Sequence, residues 1–417
     1  GRKVKVLFVG EGVTLAHVLR PLTLAGHLDP EVFKVFFACD RRCAQKMPQN
    51  ICHVPIRSII PEVFQKRLAI GVPVYTEAEL RSYVMEEIRL LVALKPAVVV
   101  GDFRVTLSIS CAVMGIPFIN LTHAHWSPYS QREFPVPEHP VVQVLGETIG
   151  GSLFQALKPL VTKGHFKGFN DVRKTYGLMP VASLEEMYTA GNVTAYLDLP
   201  SMARMSDMPL THRFLGPVLA EPDAELPQWW GKWREDRPVV FVSPGSSGNA
   251  RVFERVVRAL AGQGMTVLLA TAGRMTEEGW PEGVFAATYL PGKLAARVAE
   301  VVVCNGGSGM VYMSLAAGRP VLCVPQNADQ YFISGAVQEA GAGLTVRSGK
   351  ASERSILGAL DLLIKDESYA HAAWLLAQEI KRSDAAAQFT GLLIEVAGAE
   401  VPEESMTVGD LLPVGNV

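Results

Sequence analysis

No stretch of this 417-residue chain reaches the roughly 18 consecutive apolar residues that a membrane-spanning helix needs. Nor does the N-terminus carry the basic, apolar and small-residue succession of a signal peptide; it runs straight into a strand pattern. The expectation is a cytoplasmic protein without a transmembrane segment, with peripheral membrane contact left open. Runs of lysine or arginine are missing too, as is any interleaving of basic with aromatic residues, and the formal net charge is only -2. Nucleic acid is therefore not an expected partner. The six cysteines, Cys39, Cys43, Cys52, Cys111, Cys304 and Cys323, form no CxxC pair, and a set drawn through Cys39, Cys43, Cys52 and His53 matches no usual zinc spacing. Four of the six lie in or beside apolar runs and read as small hydrophobes in a reduced compartment, so no metal is expected.

What is present is a well-packed globular composition. Hydrophobic residues make up 49% and charged residues 19%, which excludes a disordered chain, and the length calls for more than one core. Lys3 to Val9 and Glu31 to Cys39 read as strands around a helix over Leu15 to Leu28. The alternation continues with a helix over Glu77 to Leu94, a strand Ala97 to Val100, a helix over Thr106 to Met114 and a strand Pro117 to Leu121. Helical patterning follows over Gly150 to Tyr176, then a strand at Val193 to Leu197. Prolines and the Trp229-Trp230-Gly231-Lys232-Trp233 cluster break the pattern before it restarts at Pro238 with "VVFVSPGSSGNARVFERVVRALAGQGMTVLLATAG". The bounds read as a domain at 1–215, a linker at 216–237, a second domain at 238–397 and a poorly ordered tail at 398–417.

Parallel α/β sheets bind ligands beyond the carboxyl ends of their strands, which directs attention to Gly10 to His17, Gly101 to Arg104, Ser243 to Gly248 and Asn305 to Gly309. In "VVVCNGGSGMVYMSLAAGRPVLCVPQNADQ", Val301 to Gln330, a continuous apolar strand breaks into a glycine turn and a helix starts near Ser308. The first N–H groups of such a helix have no partner within it, and glycines let an anion approach them closely. "SPGSSG" is a second turn of this kind. Packing alone rarely needs two, so the pair points to a phosphate. Asp329 and Gln330, just past a strand, suit hydrogen bonds to vicinal hydroxyls; Asp329 equally suits a helix N-cap.

These residues resemble the C-terminal nucleotide-sugar signature of GT-B glycosyltransferases, the group that includes UDP-glycosyltransferases and antibiotic and macrolide glycosyltransferases. The likeness runs through Gly306, Gly307, Gly309, Leu315, Gly318, Pro320, Pro325, Asp329 and Gln330, and "VVFVSPGSSG" is similar to a further turn of the family. In the N-terminal half "GVTLAHVLRPLTLAGHL" and "KPAVVVGDFRVTLSISCAVMGIPFIN" are similar more weakly. The resemblance implies an α/β GT-B fold of two Rossmann-like parallel-sheet domains facing across a cleft. It implies a donor site at Gly245, Ser246, Ser247, Asn305, Gly306, Gly307, Ser308, Gly309, Asp329 and Gln330, with the backbone of Tyr289 and Leu290 beside the base. It also implies that His17 is a general base oriented by Asp102.

Histidine titrates near neutrality, so a neutral imidazole at 17 can take a proton from a hydroxyl; a packed or capping histidine at a helix start fits the residue alone equally. Gly12 and Thr14, in the turn before it, and His123, His125, Trp126 and Tyr129 in "NLTHAHWSPYS" are candidates for the acceptor side, where rings stack on planar or hydrophobic groups or else close a core edge. The function implied is an inverting glycosyltransferase moving a sugar from a nucleoside-diphosphate sugar, UDP or TDP, to a hydroxyl-bearing small-molecule or lipid-like acceptor in natural-product or cell-surface glycoside biosynthesis. No metal or separate cofactor is called for. Departures from the family pattern are Asn305 in place of histidine, Met310 in place of a hydroxyl residue, and one extra residue between His17 and Pro21. The first two motivate one alternative, a non-catalytic partner of another transferase, and the third allows His17 to sit a turn off its expected place; a nucleotide-sugar epimerase or hydrolase of the same fold is the other alternative.

Overall fold

Seven short runs rich in valine, phenylalanine and isoleucine build the first sheet: β1 (Val4–Gly10), β2 (Phe33–Cys39), β3 (Ile51–Pro55), β4 (Val98–Asp102), β5 (Phe118–Thr122), β6 (Val193–Tyr196) and β7 (His212–Phe214). Their order is β3-β2-β1-β4-β5-β6-β7 with every pairing parallel. Six more form the second: β8 (Val239–Ser243), β9 (Thr266–Ala270), β10 (Val284–Ala287), β11 (Val301–Cys304), β12 (Val321–Cys323) and β13 (Gly343–Thr345), in the order β10-β9-β8-β11-β12-β13, again all parallel. The computed structural model describes residues 1–44, 47–136 and 140–398, so the tail read at 398–417 lies, except for Gly398, outside the described residues. Among the described residues no helix is long and apolar enough to cross a membrane, and no group of three or more His, Cys, Asp or Glu side chains is placed to hold a metal ion.

Both sheets have the two-sided winding in which chain connections leave the central strand in opposite directions. The switch lies between β1 and β4 in the first sheet and between β8 and β11 in the second. Loops diverge at such a point and leave a crevice at the strand ends. Register places Gly10 opposite Asp102 at the first and Ser243 opposite Cys304 at the second. All residues of β4, β8 and β11 are buried, as expected of strands covered on both faces. On one face of the second sheet, Val240, Val242, Val267, Leu269, Val301 and Val303 pack against Val252, Phe253, Val256, Val257 and Leu260, the apolar stripe of helix Ala250–Gly262.

Contacts divide the chain into two units, one of Gly1–Gln131, Lys158–Val218 and the chain from Ser383 on, the other of Arg132–Leu157 and Leu219–Arg382. Three features differ from the bounds drawn on sequence, the first being Arg132–Leu157, read within the first domain and grouped with the second unit. Trp229, Trp230 and Trp233, read as linker, pack with Phe285 against the second sheet, and Trp229 Nε1 donates to the Ala286 carbonyl. Helix Ala385–Ala397, read as the end of the second domain, belongs to the first unit: Phe389 is fully buried with its ring 5.8 Å from that of Phe8 on β1. An amphipathic pattern shows that a helix has a face to bury and carries no mark of which sheet receives it.

Candidate functional site

At the first switch point, β4 ends in Gly101-Asp102 and the chain leaving β1 turns at Glu11-Gly12 into helix Ala16–Gly26. Gly10 permits the close approach: a Cβ there would stand 2.8 Å from the His17 carbonyl oxygen and 3.0 Å from Val18 Cα. His17 thereby reaches Asp102, with its Nδ1 2.9 Å from Oδ1. The carboxylate is buried and the imidazole retains 20% exposure. Burial by itself raises a carboxyl pKa, but the guanidinium of Arg20 and the bond to His17 outweigh it and hold Asp102 below its ordinary value. With Nδ1 donating to Asp102, His17 Nε2 carries a lone pair.

Phe103, next along from Asp102, has a φ of 55°, a left-handed conformation that is unfavourable for a bulky side chain and is found where surrounding structure enforces it. Its ring stacks on His17 at 4.8 Å and an interplanar angle of 13°. From there a row of rings continues through Tyr188 (5.5 Å), Trp126 (4.8 Å), His125 (5.3 Å) and His123 (5.4 Å). Three of the four aromatic or histidine candidates after β5 thus join a row of rings that reaches His17 through Tyr188 and Phe103. Tyr129 packs instead edge-on to His212 at 5.0 Å. Gly12 is buried, its N–H bonded to Ser58 Oγ at 2.8 Å, and Thr14 is half-buried.

The loop after β4 is anchored by Arg104, which is fully buried. Its Nε donates to Glu87 at 2.6 Å and Nη1 to the Arg57 carbonyl at 2.7 Å, Glu11 lies 3.4 Å away, and the guanidinium sits 3.7 Å over the Tyr83 ring. Removing one partner from a buried pair of this sort costs about 3–5 kcal/mol. Arg20, Tyr188 and Asp198 were not picked out on sequence, and Phe103 and Arg104 only as members of the loop Gly101 to Arg104 with no role given. The available signals were the spacing of Arg20 three positions after His17 and the place of Asp198 just past β6.

In the second unit the turns after β8 and β11 lie side by side. Asn305 Oδ1 accepts from the Gly307 N–H at 2.8 Å, and its Nδ2 donates to Ser247 Oγ at 3.3 Å. Gly306 has a φ of 84°, and a Cβ there would strike Ser334 Oγ at 2.4 Å. Helix Ala250–Gly262 is capped by Asn249, whose side chain accepts from Val252 N, whereas helix Ser308–Ala316, which begins after Gly307, has no side-chain cap. Ser246 is exposed at the first turn. Leu290 is buried in the core and Tyr289 is 43% exposed. Met310 packs against that same core.

Asp329 lies in the first turn of helix Ala328–Glu339 and does not cap it. The cap is Asn327, and Gln330 completes a capping box. Gln330 is buried, with Oε1 accepting from Gln326 N at 3.0 Å and Nε2 donating to Ser247 Oγ at 2.9 Å, so it ties this helix to the turn after β8. Arg274 reaches these turns by a hydrogen bond, its Nη1 donating to the Gly245 carbonyl at 3.1 Å. It follows a tight turn in which Ala272 (φ 54°) and Gly273 (φ 72°) are both left-handed.

Comparison with known proteins gives the family and the fold. The family model for the erythromycin biosynthesis protein CIII-like C-terminal domain matches residues 256–396. A PGL/p-HBAD biosynthesis glycosyltransferase of Mycobacterium tuberculosis (strain ATCC 25177 / H37Ra) is 38% identical over 379 residues, 90% of this chain and 89% of that protein. A PGL/p-HBAD biosynthesis rhamnosyltransferase of Mycobacterium bovis (strain BCG / Pasteur 1173P2) is 39% identical over 383 residues, 91% of this chain and 85% of that protein. Among solved structures, the spinosyn rhamnosyltransferase SpnG complexed with thymidine diphosphate matches with a TM-score of 0.66 at 19% identity, covering 93% of this chain and 100% of that one. At that identity the likeness is one of fold.

Proposed function

Starting from the chain's membership of the antibiotic-type family of GT-B glycosyltransferases, we propose that it transfers a sugar with inversion from a nucleoside-diphosphate sugar to a hydroxyl of a small-molecule or lipid-like acceptor, with His17 as general base and no metal in the step. The observation that carries this reading is the 2.9 Å bond from His17 to the buried Asp102 at the first switch point. In the step, the acceptor oxygen forms a bond to the anomeric carbon from the face opposite the diphosphate. The carbon–oxygen bond to the diphosphate breaks, and the hydroxyl proton passes to His17 Nε2. Asp102 holds the tautomer and stabilises the imidazolium.

The leaving diphosphate takes up negative charge. N–H groups at Ser308 and Gly309, the exposed hydroxyl of Ser246 and the guanidinium of Arg274 are its supports. Asn305 occupies the place of the family histidine but is spent on Gly307 and Ser247, so it shapes the turn and brings no charge. Arg274 supplies the charge instead. Asp329 takes sugar hydroxyls, with Gln330 bracing the helix that carries it. Thymidine diphosphate in the spinosyn enzyme favours a TDP sugar over a UDP sugar.

For the acceptor, the row Phe103, Tyr188, Trp126 and His125 favours a flat or apolar group next to the reacting hydroxyl. The test is a transfer assay with TDP and UDP sugars against a panel of hydroxyl acceptors, read by mass and by the anomeric coupling constant of the product. Net inversion with transfer unaffected by a chelator is the expected result; retention, or loss of transfer on chelation, contradicts the mechanism.

A further inference from the structure

Asp102 does not serve His17 alone. Its Oδ2 accepts from Arg20 Nε at 3.0 Å, and Oδ1, the oxygen that faces His17, accepts from Arg20 Nη2 at 2.9 Å. Arg20 stands three positions after His17, so one face of helix Ala16–Gly26 brings both to the end of β4. The remaining guanidinium nitrogen, Nη1, lies 2.6 Å from His123 Nε2.

Donor counting then sets the direction of the bonds around His123. A guanidinium only donates, so His123 Nε2 must hold a lone pair and its ring proton must sit on Nδ1. There it meets Asp198, at 3.1 and 3.2 Å from the two oxygens. Asp198 is itself fixed by the Ala124 N–H at 2.7 Å. The result is one chain of bonds, Asp198, His123, Arg20, Asp102 and His17, in which only the last member keeps appreciable exposure.

His17 Nδ1 faces two groups at 2.9 Å, the Asp102 oxygen and Arg20 Nη2. If it donates to the carboxylate, Nε2 is a base. If it accepts from Arg20, the ring proton moves to Nε2 and no base remains. An ionised oxygen is the stronger acceptor for Nη2, and the fork of Arg20 on Asp102 holds that oxygen in line with the imidazole. Charge points the same way. With both imidazoles neutral the buried chain carries a single net negative charge, and proton uptake by His17 cancels it where water screens little.

We propose that Arg20, anchored by His123 and Asp198, is a positioning residue for the transfer: it fixes Asp102 so that His17 is held as the Nδ1–H tautomer with Nε2 available to the acceptor hydroxyl. The proposal rests on the reading of His17 as the base. It gives His123 a role behind the dyad and not on the acceptor.

The test uses the full chain with 15N-labelled histidine, and the same proteins in the transfer assay. In the native protein, the imidazole nitrogen shifts of His17 should report the Nδ1–H tautomer. Arg20→Met should give a mixture or the Nε2–H form, with kcat lowered about tenfold to a hundredfold and donor KM within about twofold. Arg20→Lys, which keeps the charge but not the fork, should recover only part of kcat. His123→Leu tests the same chain if Arg20→Met does not fold. It should lower kcat about tenfold, and His123→Gln, whose amide oxygen can still accept from Nη1, should recover most of that loss. An unchanged tautomer with unchanged kcat in Arg20→Met or in His123→Leu overturns the proposal. Full turnover by His17→Ala overturns the base reading itself, a separate outcome visible in the same assay.

Discussion

His17 Nδ1 lies 2.9 Å from the Asp102 carboxylate, and in the function proposed above the neighbours decide which ring nitrogen is left to react. The same logic gives Asp198 a measurable signature. Burial would raise its pKa, but the adjoining His123 imidazole, which donates to it from Nδ1, and the bond from the Ala124 N–H hold it down to about 2. A carboxyl whose folded value lies below its unfolded one, near 4, stabilises the fold fully above about pH 4 and loses that contribution as pH falls toward 2. Asp198→Asn should therefore cost on the order of 2 kcal/mol at neutral pH and flatten the acid limb of the unfolding curve over that window; a parallel curve contradicts this. Arg274 is tested by titration calorimetry: Arg274→Gln should weaken thymidine diphosphate binding about tenfold and leave thymidine binding nearly unchanged. Equal loss for both ligands would make it a brace for Gly245 only. Of these residues, His17 and Asp102 were reached from sequence through the family pattern. Arg20, Phe103 and Asp198 were not, because their importance depends on the register that sets Gly10 opposite Asp102 and on which rings meet across three loops.

The turn Asn305–Gly307 works as an element because Gly306 supplies a backbone conformation other residues resist. Gly306→Ala combines a left-handed cost of about 1–2 kcal/mol with a contact of 2.4 Å to Ser334 Oγ. Thermal denaturation should show the loss of stability, and calorimetry a weakened nucleoside diphosphate; an intact affinity would place the diphosphate elsewhere. The strands leading to both sites, Val98–Asp102, Val239–Ser243 and Val301–Cys304, were legible as unbroken apolar runs, and helix Ser308–Ala316 from the residue that starts it. Strands Ile51–Pro55, His212–Phe214 and Gly343–Thr345 were not. They are short or polar edge or near-edge strands, which pair through backbone groups and need no distinctive side chains. The capping box at Asn327 was missed for another reason: Asp329 two residues later offers the same chemistry, and only geometry selects between them.

At the scale of the whole molecule, two sheets with equivalent winding present different groups at equivalent switch points, a histidine–carboxylate pair on one and two glycine turns on the other, the second leading into a helix without a side-chain cap. The return of helix Ala385–Ala397 to the first unit predicts where a C-terminal change is felt. Phe389→Ala removes a fully buried ring, worth about 3–5 kcal/mol, and hydrogen exchange should show lost protection in β1 and β4 with β8 and β11 little affected; loss in β8 and β11 alone would contradict the assignment. The central claim, glycosyl transfer with His17 as base, is tested most directly by measuring kcat and donor affinity of His17→Ala beside the native chain. The account predicts kcat lowered about a hundred- to ten-thousand-fold, with binding of the nucleoside-diphosphate sugar nearly intact. Turnover close to that of the native chain would contradict it.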